Sequence, residues 1–146
     1  PPPQGASDII GLECTGYLVD PATDMVTDKK VMALLSGGGY AQFARVHRDH
    51  IMNLPKGMAF NQAAAIPEQW ITAYQLLFKV ANIQPGETAL VLAAASGVGT
   101  SLIQLCKLTG ANSIAACRTM SKIKACKDLG AFDGVICANP NFETRV

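Results

Sequence analysis

The sequence predicts an α/β chain in which a β-rich segment precedes the first half of a doubly wound parallel sheet. Three observations carry that expectation. Residues 88–100 read TALVLAAASGVGT, an apolar run that halts at a glycine-rich turn. A helical stripe (Val98, Leu102, Leu105, Cys106, Thr109) begins there. From Thr88 onward, strand-like and helical runs follow in the order β-α-β-α-β, which implies parallel strands with right-handed crossovers. Upstream, the apolar runs are short and rich in β-formers.

Taken in order, residues 9–19 (IIGLECTGYLV) and 31–35 are the first two strands, separated by a polar loop at 20–30 that carries Pro21. Residues 36–39 are a flexible glycine run. The alternation of YAQFARV at 40–46 predicts another strand, and 51–55 ends the β-rich half. Asn61 is suited to cap a short helix through Ala65, and Pro67 interrupts that helix or starts the next one. Ile71, Tyr74, Gln75, Leu77 and Phe78 give a helical stripe to about Ala81, and Pro85 with Gly86 makes a turn. The strand at 88–93 leads into the glycine turn and a helix that Gly110 stops. A strand at 113–117, a helix at 121–129 ended by Gly130 and a short strand at 134–137 complete the pattern. Pro1–Pro3 read as a stiff, non-helical lead. The organisation expected is two partial units, 1–60 and 61–146. About three parallel strands stand where a doubly wound fold uses about six, so the chain reads as a fragment that does not fold stably alone.

The glycine turn comes closest to stating chemistry. Small residues let a backbone approach a pyrophosphate, and the free N–H groups of a helix start meet negative charge. Against the pattern G-x-G-x-x-G, the glycine positions fall on Ala94, Ser96 and Gly99, with a further glycine at Gly97; only Gly99 matches. Ser96 limits the closest approach, but its hydroxyl can donate to a phosphate. The pyrophosphate is expected over Ser96, Gly97, Val98 and Gly99. A purely structural turn is the competing account. About twenty residues on, an NAD site places an acid at the end of the second strand. Here the chain reads Cys117-Arg118-Thr119, then Ser121-Lys122. Arg118 and Lys122 can pair with a 2′-phosphate, which points to NADPH; a solvated basic helix start is the alternative.

Composition narrows the remaining classes. The chain has 146 residues, a size usual for one domain, and a formal net charge of +1. It has no basic block and no interleaving of basic and aromatic residues, so nucleic acid and membrane surfaces are not expected partners. No apolar stretch reaches a bilayer's span and no signal sequence opens the chain, so a cytoplasmic protein is expected. The cysteines (Cys14, Cys106, Cys117, Cys126, Cys137) are odd in number and widely spread, with no C-x-x-C. They read as buried free thiols rather than disulfides or zinc ligands.

Four segments together carry a resemblance: GLECTG (11–16), MALLSGGGYAQF (32–43), AAAIPEQWITAYQLL (63–77) and AAASGVG (93–99). They resemble the quinone oxidoreductase, or zeta-crystallin-like, branch of the medium-chain dehydrogenase/reductases, most nearly its tumour-suppressor-induced subgroup. The resemblance runs over nearly the whole chain. It implies part of a GroES-like catalytic domain followed by the first half of a Rossmann domain. It also implies NADPH as reductant, a homodimer and a parent longer at both ends. It puts Lys122 on the lysine that this family uses for the 2′-phosphate and Thr72 near the nicotinamide and phosphates. A hydroxyl bonded to its own helix backbone accounts for Thr72 as well. Cys137 stands where the family has a tyrosine near the adenosine phosphate, which implies lower affinity or selectivity.

Zinc enzymes of the superfamily present Gly-His-Glu where this chain has Gly11-Leu12-Glu13, and leucine cannot ligate a metal. No metal is therefore expected, and Glu13 reads as a strand or turn carboxylate. Glu68 and Trp70 are expected to cap and pack their helix, and His47 and His50 to lie at the surface. Gly37–Gly39 and Tyr40 either line the mouth of a substrate cleft or simply form a β turn. The implied activity is hydride transfer from NADPH to a quinone, with the protein supplying orientation and dry walls. No general acid is identifiable, and the family's substrate-facing tyrosine would fall upstream of Pro1. Two other readings stay open. One is a non-catalytic cofactor-binding or structural protein, crystallin-like or a truncated partner of a full subunit. The other is an enoyl or alkenal reductase.

Overall fold

The computed structural model describes residues 4–138, so the lead expected at Pro1–Pro3 lies outside the described residues. Two compact units divide between Glu68 and Gln69.

The first unit is built on three antiparallel strands: β1 (Glu13–Val19), β2 (Val26–Leu34) and β3 (Ile51–Asn53), in that spatial order. β1 and β2 run from Glu13 opposite Leu34 to Val19 opposite Val26. Met32 and Ala33 of β2 then face Met52 and Ile51 of β3. Val31, Ala33 and Leu35 are buried, the period of two that puts one face of β2 inward. The short helix α1 (Phe60–Ala63) closes on β1, where Thr15 Oγ1 donates to Phe60 O at 3.1 Å and the Tyr17 and Phe60 rings meet edge-on at 5.3 Å.

Four expectations are corrected here. The strand expected at 9–19 starts only at Glu13, because Gly11 sits at φ +109°, outside extended geometry. The polar loop is shorter than 20–30: β2 already begins at Val26, because Asp20 N–H bonds Met25 O at 2.9 Å and folds the chain back early. Residues 40–46 form bends and open chain rather than a strand. Alternation supplies a face but no partner, and among the described residues the one backbone bond from this stretch to a neighbouring segment is Tyr40 N–H to Ile10 O. Asn61 lies inside α1 rather than capping it; the Gln62 carboxamide accepts the Ala59 N–H and starts the helix earlier.

Pro67 begins α2 (Pro67–Tyr74). The stripe expected to reach Ala81 as an α-helix instead widens into a π-helical stretch at Gln75–Val80, with Ala81 N–H reaching back to Leu76 O.

The second unit holds β4 (Thr88–Leu92), β5 (Asn112–Cys117) and β6 (Asp133–Ile136), all parallel and adjacent in that order. They are joined by α3 (Gly97–Thr109) and α4 (Met120–Leu129). Gly110 ends α3 in the left-handed region at φ +74°, and Ala111 N–H then reaches Cys106 O. Val91, Ile103, Ala115, Cys117, Ile123 and Cys126 form one core cluster; Leu77, Cys106 and Ala111 form a smaller one. Burying a side chain such as Ile103 contributes about 1.5–3 kcal/mol. Leu90 and Leu92 are exposed, so β4 is covered on one face. Among the described residues no helix is long and apolar enough to cross a membrane.

The architecture is thus an antiparallel three-stranded sheet followed by a parallel β-α-β-α-β sheet. That matches the catalytic segment and Rossmann opening expected from the sequence.

Candidate dinucleotide site

The candidate site lies in the second unit, at the carboxyl ends of its strands, where ligands of open α/β sheets bind. β4 ends at Leu92, and Ala93 turns the chain sharply at φ +49°, a left-handed conformation rare for a residue with a side chain. Ala94 N–H bonds Ala116 O at the end of β5, and Ser96 N–H bonds Ala93 O at 2.8 Å. Ser96 is then the N-cap of α3: its Oγ accepts the Gly99 N–H at 3.2 Å and its carbonyl accepts the Thr100 N–H. The first residues of a helix have no intrahelical acceptor for their N–H groups, which at this end of α3 are those of Gly97 and Val98. Because Ser96 Oγ accepts, its own O–H stays available to donate.

Gly99 is fixed by space. A Cβ built there would lie 2.5 Å from Ala94 O and 2.7 Å from Ala93 O, so only glycine lets α3 sit this close to the strand end. Gly97 is confined less rigidly, by the end of the Gln69 side chain of α2, which rests against it.

A pocket of about 390 Å³ opens beside this turn, and its walls include Ala93, Ser96, Cys117, Arg118, Lys122 and Cys137. Among the described residues, its lining contains no carboxylate. Arg118 follows β5 and Lys122 lies in the first turn of α4; both side chains are exposed, and among the described residues neither makes an ion pair. The Thr119 and Ser121 hydroxyls meet at 3.1 Å at the same helix start. Helix start and cations together make this end of the sheet attractive to anions.

Of the residues singled out from the sequence, the fold brings Ser96, Arg118 and Lys122 to one pocket, with Gly97, Val98 and Gly99 in the helical turn that follows Ser96. Thr72 is half-buried on α2, one turn beyond Gln69, and is not part of the pocket wall. Cys137 does line the pocket, tied to β5 by its N–H to Cys117 O at 2.9 Å. In the first unit, Gly37 and Gly38 border a separate open hollow with Arg45, His47 and Arg48, while the Tyr40 ring is 75% exposed outside it. His47 and His50 are exposed, their rings 5.8 Å apart. The Glu13 carboxylate accepts the Glu68 N–H at 3.0 Å, so it caps the start of α2. Among the described residues no group of three or more His, Cys, Asp or Glu is placed to hold a metal.

Three features had no signal in the sequence. Gln69 reaches Gly97 from 28 positions upstream (97 − 69). Ala93 takes a conformation that a search for glycine would miss. Cys117 and Cys126 place their sulfurs 3.8 Å apart in the core without any C-x-x-C. Burial, followed by the hydrogen bond and charge of Cys117, pushes the Cys126 thiol up to about 11.

The chain is homologous to oxidoreductases of the medium-chain dehydrogenase/reductase superfamily, among them quinone oxidoreductases, VAT-1 proteins and enoyl reductases. It is 40% identical over 118 residues to the highly reducing polyketide synthase tstA of Talaromyces stipitatus, covering 79% of this chain and 5% of that protein. It superposes on the CurK enoyl reductase with a TM-score of 0.85 at 30% identity, over 94% of this chain and 42% of the other. The quinone oxidoreductase of Thermus thermophilus, solved also with NADPH, gives 0.76 at 33% identity over 88% and 40%. The chain therefore spans about two fifths of these solved proteins. No family model matches it.

Proposed function

We propose that this chain is the cofactor-binding portion of an NADPH-dependent oxidoreductase that delivers hydride to a quinone without zinc. The observation that carries the reading is a pocket lined by a serine-capped helix start and by Arg118 and Lys122, with no carboxylate and no ion pair to either cation among the described residues. The residues fit a phosphorylated dinucleotide. The Gly97 and Val98 N–H groups and the Ser96 O–H hold the pyrophosphate, while Arg118 and Lys122 pair with a 2′-phosphate in place of the acid that would hold a ribose hydroxyl. Ala93, Ala95 and Ala116 form small apolar walls that keep water from these contacts. When bound, the nicotinamide supplies the hydride; these side chains and N–H groups bind and orient it. Thermus quinone oxidoreductase, whose structure includes an NADPH complex, supports both the cofactor and the acceptor class.

An enoyl reductase is the second reading, favoured by the higher TM-score to CurK. A fluorescence titration of the chain with NADPH and NADH tests the site. Tighter binding of NADPH is expected. Equal affinities would remove the 2′-phosphate assignment, and no binding of either would remove the cofactor reading. Loss of NADPH absorbance with a para-quinone against a crotonyl thioester separates the two acceptors.

A further inference from the structure

Cys117 and Cys126 take no part in the anion cradle, yet they adjoin it. Cys117 ends β5 and lines the pocket next to Arg118, whereas Cys126 is fully buried on α4, one turn beyond Lys122. Their sulfurs, 3.8 Å apart, must approach by about 1.8 Å to reach disulfide length. The two elements that would draw together, the end of β5 and α4, are followed by Arg118 in the one case and carry Lys122 in the other.

We propose that a peroxide entering the pocket converts Cys117 and Cys126 to a disulfide, and that this bond and a bound dinucleotide oppose each other. The second half rests on the pocket being the NADPH site. Cys117 loses a proton and takes an oxygen from the peroxide, giving a sulfenic acid; with hydrogen peroxide the other oxygen leaves as water. The Cys126 sulfur then attacks the sulfenic sulfur, the S–O bond breaks and a second water departs. Two thiols and one peroxide thus become one disulfide and two waters. Burial holds the Cys126 thiol above its ordinary value, so it carries little thiolate at neutral pH, and ring closure is slow and accelerates as pH rises. A dinucleotide over Ser96 and Arg118 covers the Cys117 side of the pocket. By reciprocity, if the disulfide weakens NADPH about tenfold, then NADPH makes the disulfide easier to reduce by the same factor, about 30 mV.

The test treats the whole chain with hydrogen peroxide, with and without NADPH, and maps non-reduced tryptic peptides by mass spectrometry. A link between peptides 108–118 and 125–127 is expected. It should form more slowly with NADPH, be absent in Cys126→Ala and be reversed by dithiothreitol. The oxidised chain should bind NADPH about tenfold more weakly, within the usual range of coupling between sites. Oxidation of Cys137 alone, or a Cys117–Cys137 link, would overturn the pairing without need of any variant. A Cys117–Cys126 link with unchanged NADPH affinity would overturn the opposition. Failure of the cofactor reading looks different: the reduced chain then binds no NADPH, the opposition falls with it, and the mass spectrum still decides the pairing.

Discussion

The two units each cover a three-stranded sheet, and they do so unequally. In the second, every return to a parallel neighbour needs a long crossover, so α3 and α4 come with the topology and bury Val91, Ala115 and Cys117 beneath them. In the first, antiparallel strands are joined by a turn at 20–25 and by loops, and α1 has four residues. Ile10, Tyr40 and Phe43 there remain 70%, 75% and 69% exposed. The crossovers of the parallel sheet bring cover for one of its faces; the connections of the antiparallel sheet bring none. The candidate site sits in the unit whose connections are also its packing.

The strongest break in that arrangement is Gly99→Val. It drives a branched side chain into the Ala93 and Ala94 carbonyls, which are backbone and cannot swing away. A loss on the order of 4 kcal/mol, or failure of the second unit to fold, is expected, together with loss of NADPH binding. Urea denaturation and titration measure both; an unchanged midpoint would mean that α3 can lift from the strand at no cost.

Ile103→Ala and Phe43→Ala sharpen the comparison between units. The first empties a fully buried site in the second unit and should cost about 2–5 kcal/mol. The second trims an exposed ring in the first unit and should stay within about 0.5 kcal/mol. Similar losses from both would erase the distinction.

The doubly substituted Arg118→Ala, Lys122→Ala chain probes the site rather than the fold. Its NADPH affinity should fall about 10- to 100-fold, as expected for losing charged hydrogen bonds, with NADH affinity unchanged. A parallel drop for both cofactors would move these cations away from the 2′-phosphate.

The smallest effect is electrostatic. The hydrogen bond from Lys127, then the Gly134 N–H and the Lys127 charge, hold the Asp133 carboxyl below its ordinary value. A carboxyl lowered on folding stabilises at pH values above its unfolded pKa, about 3.9, and that contribution is lost as pH falls through the folded value. The urea midpoints of the native chain and Asp133→Asn should therefore differ slightly at pH 6, and the difference should shrink as pH falls through the folded value. A gap that persists in acid would assign the difference to something other than this carboxylate.

The second unit was largely legible in the sequence, because its signals are local. Ser96 and Gly110 mark the two ends of α3 within a few residues of the helix they bound, and Gly130 does the same for α4. The first unit depended on pairing, which is not local. The alternation at 40–46 was real as a pattern but found no strand beside it. The start of β2 was set by Val19 pairing with Val26 and by the Asp20 N–H to Met25 O bond that closes the turn, neither of which a local pattern marks. Of the site, the serine, glycines and cations could be read from spacing alone. Gln69 against Gly97 could not, since nothing in a helix twenty-eight positions upstream marks which residue faces a turn.

Ala93 gives the turn a property beyond its shape. Holding an alanine in the left-handed region costs about 1–2 kcal/mol, and a glycine there would relieve that strain. Alanine also has fewer conformations to lose than glycine, so the turn is stiff once formed. The entropy is surrendered when the chain folds rather than when a ligand arrives. Under the proposed function, an anion reaching the first turn of α3 meets a turn already held in shape, and its binding costs little further loss of freedom.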